Sequence, residues 1–348
     1  MAGDRAVFTL PTVTVVICAY TEQRWDQLVQ AVASARVQSR PPVEVVVSID
    51  HNVGLLERAT AYWANDRDAA VPVLVIANRF AGRLGSARTT ASEIARGEVL
   101  AFLDDDAEAR SDWLEVLVAP YCDADVVAVG GAPVPRWETH CPKWFPPEFR
   151  WVFGCAYLGM PTVRKAVRHL IGANMSVRRS ALRHIEGFHS DNHDDMDMCH
   201  RLVDAFPDGR ILFEPAALVD HWVGRERTTW HYFCRRCFLV NRGKVEAFRS
   251  MGSAGNWTAE IDFVRTRLPA SAWRGLEDAL GGDAWGLVRV GAFAAGTALA
   301  GAGSLSGQLD AKWSKRSTGR SGGTTLANSA RTPGRGTPRW LLKMLGGC

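Results

Sequence analysis

The chain has 348 residues, 47% of them hydrophobic and 22% charged, which is enough apolar material for a full core and excludes an intrinsically disordered protein. Of the 41 Lys/Arg, eight fall in residues 304–348 with one of the 37 Asp/Glu, so the formal charge of +4 belongs to the tail and the rest is slightly acidic; no nucleic-acid partner is expected. No apolar run reaches the roughly 18 residues of a spanning helix, and Met1-Ala2-Gly3-Asp4-Arg5 lacks the basic-then-apolar pattern of a secretion signal, so the expected location is the cytoplasm.

Residues 12–18 read as a buried strand, followed by a helix whose apolar face carries Trp25, Leu28, Val29 and Val32. Residues 43–49 form a second strand, 71–77 a third, 86–96 a helix, 98–103 a fourth strand, 111–120 a helix, and a fifth strand begins at 126. Strand and helix alternate, which predicts a mostly parallel sheet covered on both faces, because parallel neighbours need crossover connections. Ligands of such sheets sit beyond the carboxyl ends of the strands. Three polar loops leave there: Ala19-Tyr20-Thr21-Glu22, Asp50-His51-Asn52 and Asp104-Asp105-Asp106.

Residues 133–161 change to Trp and Pro punctuation, with Trp137, Trp144, Trp151 and Phe153, and read either as an aromatic-packed insertion or as an acceptor-binding wall. A short strand follows at 172–177, a helix at 194–206 that opens on acids, and a long aromatic and basic helix at 228–249. Residues 284–303 are an apolar, Gly/Ala-rich helix candidate, 304–338 read as disordered, and 339–345 are short, amphiphilic and basic. Peripheral contact with an anionic membrane surface through 284–348 is one reading, a solvated tail the other. The eight cysteines lack paired metal-ligand spacing and read as reduced, mostly buried thiols.

Chemistry concentrates on the acids. Three adjacent carboxylates after a buried strand repel one another and call for a cation. In extended chain Asp104 and Asp106 point one way and Asp105 the other. Mg2+ or Mn2+ takes one or two protein carboxylates and fills its shell from phosphate oxygens, so the run predicts a nucleoside diphosphate; a solvated turn capping the next helix is the alternative. Gly82-Arg83-Leu84-Gly85-Ser86-Ala87-Arg88 precedes a helix whose N-terminus favours anions. A second cluster, His193-Asp194-Asp195-Met196-Asp197, offers Asp195 as a general base, while Asp194 and Asp197 could be helix-start charges. In Asp220-His221-Trp222 the imidazole is either structural or a metal ligand.

In this order the pieces resemble the family 2 glycosyltransferases of the GT-A fold, over about residues 10–250. The carriers are Val15-Val16-Ile17-Cys18-Ala19-Tyr20, Val47-Ser48-Ile49-Asp50, Gly85-Ser86-Ala87-Arg88, Phe102-Leu103-Asp104-Asp105-Asp106, Gly172-Ala173-Asn174-Met175-Ser176-Val177-Arg178-Arg179 and Asp194-Asp195-Met196-Asp197-Met198-Cys199-His200-Arg201. The resemblance implies an α/β, Rossmann-like, mostly parallel sheet with a helical C-terminal extension. It implies a catalytic domain over 1–250 with a nucleotide-sugar half at 10–131 and an acceptor half at 132–250, then an extension at 251–303 and a tail at 304–348.

By that resemblance Asp50 contacts the nucleobase and Asp105 the ribose, while Ala19, Tyr20, Glu22, Arg83, Arg88 and Asp104 line the donor pocket. Asp106 holds a divalent cation on the diphosphate, His221 lies beside it, Asp195 is the base, and Trp151, Asn174 and Asp194 face the acceptor. The implied activity is that of an inverting, metal-dependent hexosyltransferase, moving one sugar from a nucleotide sugar, most simply a UDP-sugar, to an acceptor hydroxyl or phosphate; the acceptor is lipid-linked, a natural product or a glycan. Asp194 stands where the family pattern has Glu. The Gln-x-x-Arg-Trp run of processive synthases is missing, with Arg235-Arg236-Cys237-Phe238 in its region, which favours single transfer. The alternatives are a nucleotide-sugar-binding protein without catalysis, or a sugar-phosphate nucleotidyltransferase, for which Cys18-Ala19-Tyr20-Thr21 lacks a Gly- and Lys-containing triphosphate loop.

Overall fold

The computed structural model describes residues 10–66, 69–189, 193–250 and 258–318. The first of two compact units comprises the chain to Glu138 together with Phe153–Val223. Its strands are β1 (Val13–Ala19), β2 (Glu44–Ile49), β3 (Val73–Ala77), β4 (Val99–Asp104), β5 (Ala107–Ala109), β6 (Val126–Trp137), β7 (Lys165–Ala166), β8 (Asn174–Arg178) and β9 (Arg210–Val223). Its helices are α1 (Trp25–Arg36), α2 (Val53–Tyr62), α3 (Leu84–Ile94), α4 (Trp113–Val118), α5 (Arg179–His184) and α6 (Asp194–Ala205).

The strands form one sheet in the order β3-β2-β1-β4-β8-β6-β9-β5, with β7 on β9. The first four are parallel, as strand–helix alternation requires. β8 enters antiparallel between β4 and β6, which makes the sheet mixed; its sequence, Asn-Met-Ser-Val-Arg, carries no mark of strand direction.

Side chains alternate across the pleat, so the near-continuous apolar runs of β1, β2 and β4 feed two cores. Val15, Ile17, Val45, Val47, Ala101 and Leu103 pack with α1, α2 and α4 on one face. Val16, Val46, Leu100 and Phe102 pack with α3, α5 and α6 on the other. The register pairs Cys18 with Asp104 and Ala19 with Ile49, so β1, β2 and β4 end level and their three polar loops leave from one edge. Gly131 lies at an irregularity in the β6–β9 pairing, where any Cβ would meet the Ala217 carbonyl and the Asn174 amide.

The second unit comprises Thr139–Val152 and the chain from Gly224 onward, with α7 (Trp230–Ser250), α8 (Thr258–Leu280) and α9 (Trp285–Thr318). Trp144, Phe145, Phe149, Trp230, Phe233 and Phe293 form an edge-on aromatic cluster within it. Trp151 belongs to this packing through Phe149, at 5.6 Å between ring centres. Two expectations about the tail change. α9 continues past residue 304 to Thr318, because Gly303 and Gly307 are contact points against α7. By length and composition Trp285–Asp310 is also apolar enough to cross a membrane. The segment 319–348 lies outside the described residues.

Candidate active site

Asp104 is the last residue of β4, and the chain turns through Asp105 and Asp106 into the short β5. β5 pairs antiparallel with β9 so that Ala107 faces His221, and the Asp106 carbonyl accepts from the Trp222 amide at 2.8 Å. This register, not sequence proximity, brings the imidazole to the acids. His221 Nε2 lies 3.2 Å from Asp106 Oδ1 and 3.7 Å from Asp104 Oδ2. One ligand atom from each of Asp104, Asp106 and His221 falls within 4.8 Å of the others, a convergent two-carboxylate, one-imidazole set. Burial alone would lower the His221 pKa, but hydrogen bonds to Asp104, Asp106 and Cys155 outweigh it and raise it well above the ordinary value.

Arg24, at the foot of α1, was not foreseen. Its Nη1 lies 2.9 Å from Asp105 Oδ1 and donates to Asp106 Oδ2 at 2.8 Å, and its guanidinium sits over the Tyr20 ring at 5.0 Å. It holds the Asp106 oxygen that faces away from His221. No spacing rule in the sequence links residue 24 to 105; the contact follows from β1 and β4 ending level. Asp105 is 3% exposed and its Oδ2 has no hydrogen-bond partner among the described residues. Burial raises its pKa to about 8; Arg24 opposes that and Asp106 adds to it.

The second acidic cluster reaches the first through Arg88. This residue is 3% exposed on α3 and was expected to line the donor pocket. Its guanidinium instead joins three groups: Asp194 Oδ2 at 2.7 Å, the Gly172 carbonyl at 2.8 Å and Asp104 Oδ1 at 3.3 Å. The Gly172 amide donates to Asp195 Oδ2 at 3.0 Å, and the Met196 amide to Asp195 Oδ1 at 2.8 Å. A Cβ at position 172 would press on both Arg88 and Asp195. Asp194, expected at the acceptor, is thus a buried counterion of Arg88. Burial, then the Asp194 charge, raise the Asp195 pKa, Arg88 and the two amides pull it back, and the outcome is about 6. A carboxylate poised there suits general-base work near neutrality.

Around the other loops, Asp50 Oδ1 lies 2.6 Å from His51 Nδ1 and accepts from Asn78 Nδ2 at 2.8 Å. The Ala19 carbonyl receives the Asp50 amide at 2.8 Å. Tyr20 is 60% exposed and Arg83 is exposed at the start of α3, while Glu22 stands against Gly54. Asn174 corrects an expectation. It is fully buried, accepts from Trp113 Nε1 at 2.8 Å and donates to the Ala217 carbonyl at 2.9 Å, so its amide is committed to the core and has no face for an acceptor. Trp151 lies in the second unit.

The glycosyl transferase family 2 model matches residues 14–186. A glucosyl-dolichyl phosphate glucuronosyltransferase of Haloferax volcanii is 30% identical over 242 residues, which cover 67% of this chain and 76% of that protein. Among solved structures, the mannosyltransferase PcManGT of Pyrobaculum calidifontis, in complex with GDP-Man and Mn2+, is similar with a TM-score of 0.51 and 20% identity, over 89% of this chain and 81% of that one. The structure of GalNAc-T7 with UDP, GalNAc and Mn2+ is similar with a TM-score of 0.50 and 17% identity; the likeness covers 74% of this chain but 54% of that one. At these identities the structural likeness speaks for the fold.

Proposed function

Since the chain belongs to the family 2 glycosyltransferases, we propose that it moves one sugar, with inversion, from a nucleoside diphosphate sugar to a lipid-linked acceptor, using Asp195 as base and a divalent cation at Asp104, Asp106 and His221. The observation that supports this reading is the Arg88 bridge: it joins Asp104 to Asp194 and, through Gly172, to Asp195, so that the acids ending β4 and the proposed base belong to one hydrogen-bonded assembly.

Two carboxylates and an imidazole within ligating distance fit a cation, and the imidazole favours Mn2+ over Mg2+, which prefers oxygen alone. When bound, the ion supplies positive charge against the departing diphosphate. The rest falls to the chain. Asp50 and Asp105, whose Oδ2 has no hydrogen-bond partner among the described residues, stand at the ends of β2 and β4 for nucleobase and ribose hydroxyl, with Tyr20, Glu22 and Arg83 in the neighbouring loops. Arg24 fixes the orientation of Asp106. Asp195, oriented by two backbone amides, takes the acceptor proton as the acceptor oxygen bonds the anomeric carbon and the carbon–diphosphate bond breaks on the opposite face.

Two similar structures hold Mn2+ with UDP or GDP-Man, and the Haloferax relative is named for glucosyl-dolichyl phosphate, which supports the donor class and a lipid-linked acceptor. A lipid-linked acceptor also suits work at the inner face of a membrane. The test is a panel of UDP- and GDP-sugars incubated with Mn2+ and a polyprenyl-phosphate or glycosylated polyprenyl-phosphate acceptor. Release of nucleoside diphosphate with a product of inverted anomeric configuration is expected; a retained configuration, or no turnover with any donor, rejects the proposal.

A further inference from the structure

We propose that the α8–α9 hairpin is a docking surface for an anionic lipid bilayer, on which α9 lies flat without crossing it. This goes beyond the transfer chemistry and does not depend on it. The two helices join through Gly281-Gly282-Asp283, with Gly282 at φ 95°, and close on each other where Gly275 meets Gly286 with no room for a Cβ on either. Around that turn the large apolar side chains point outward: Leu280 is 81% exposed, Leu287 56%, Val288 46%, Leu276 45% and Trp285 41%. Leu305 and Leu309 extend the exposed series along α9. Single exposed leucines need no explanation, but a cluster of this density at one hairpin end marks an interaction surface.

Charge decides what covers it. Around the turn Arg289 pairs with Asp278 at 2.6 Å and with Asp283 at 2.9 Å, which offsets one of the acidic charges there, and Glu277 accepts from Trp273 Nε1 at 2.6 Å. After Asp310 the sequence carries Lys312, Lys315, Arg316, Arg320, Arg331, Arg335, Arg339 and Lys343 with no further acid. An apolar face on a chain whose sequence then turns purely basic complements a bilayer with negative headgroups, and neither signal alone holds firmly.

The opposite side of α9 excludes a spanning role. Gly296 abuts Phe149 and Phe233, Gly303 the Phe238 backbone and Gly307 the Arg242 carbonyl, so this side is committed to α7. A bilayer enclosing α9 would have to take in α7 as well, with Arg235, Arg236, Arg242 and Lys244, at a cost of several kcal/mol.

The experiment is co-sedimentation of the full chain with phosphatidylcholine vesicles, with and without phosphatidylglycerol, read beside tryptophan emission. Binding to the mixed vesicles with a blue-shifted emission, weakening as salt rises and released by alkaline carbonate, is expected. The variant Leu280→Glu/Leu287→Glu should bind about tenfold more weakly or less, with unchanged circular dichroism and unchanged donor hydrolysis in detergent-free buffer. Should the double variant misfold, the salt and carbonate arms on the unaltered chain still decide. Absence of binding, release by detergent alone, or a stable dimer in solution whose tryptophans ignore vesicles would overturn the proposal. Loss of hydrolysis with binding intact would speak against the transferase reading alone.

Discussion

Arg88 donates to Asp194 across 2.7 Å in a buried ion pair, although the two residues come from helices on either side of the β4–β8 strand pair in the sequence. The same guanidinium reaches Asp104, so the acids ending β4 and the acids opening α6 are held as one assembly. Breaking one partner of such a pair strands a buried charge, which costs about 3–5 kcal/mol. The assembly is therefore a fold element as well as the candidate site.

The pH profile should report Asp195. As a base it works only as the carboxylate, and its raised pKa places the loss of that form near pH 6. kcat/KM is expected to fall about tenfold per unit below about pH 6 and to be flat just above it. Initial rates at subsaturating acceptor between acid and neutral pH check this; a profile level down to the ordinary carboxylate range would show another base at work.

Cation binding should release a proton. The raised pKa of His221 favours the charged imidazole at neutral pH, where Asp104, Asp106 and Cys155 hydrogen-bond it, and ligation needs the neutral ring. Titration calorimetry of Mn2+ in buffers of different ionisation enthalpy should show that release, with affinity weakening as pH falls. In His221→Gln the release should vanish and affinity drop about tenfold or more; an unchanged affinity would remove His221 from the ligand set.

Asn174 should act on stability alone. Replacement by Ala orphans the Trp113 indole N–H and the Ala217 carbonyl, both buried, for a loss of about 3 kcal/mol. Urea unfolding measures it. The acceptor KM of the folded fraction should stay near that of the parent chain, whereas an acceptor-binding residue would give the reverse pattern.

The apolar runs of β1, β2 and β4 and the level ends of their polar loops could be read from the sequence, because periodicity and burial act locally. The acids at 104–106 and 194–197 were conspicuous for the same reason: unpaired charge at element ends needs a cause. What the sequence hid depends on partners. Arg24 looks like any helix-start cation until β1 and β4 are aligned, and Arg88 looks like an anion-binding side chain until it is seen to be buried between two carboxylates. Asn174 stood in the right motif for a reason of packing. Ser304 and Gly307 open the Gly/Ser/Thr/Arg-rich stretch from which disorder is expected, yet Gly307 is small because α7 lies against it.

The central claim is that the cation set and the base serve one reaction from one crevice, and paired substitutions measure it most directly. Donor binding with Mn2+ by calorimetry and transfer by product formation should be compared in Asp106→Asn and Asp195→Asn. Asp106→Asn is expected to lose Mn2+-dependent donor binding, while Asp195→Asn binds donor like the parent and transfers about a hundred- to ten-thousand-fold more slowly. Near-normal transfer by Asp195→Asn, or Mn2+-dependent donor binding untouched by Asp106→Asn, would contradict the account.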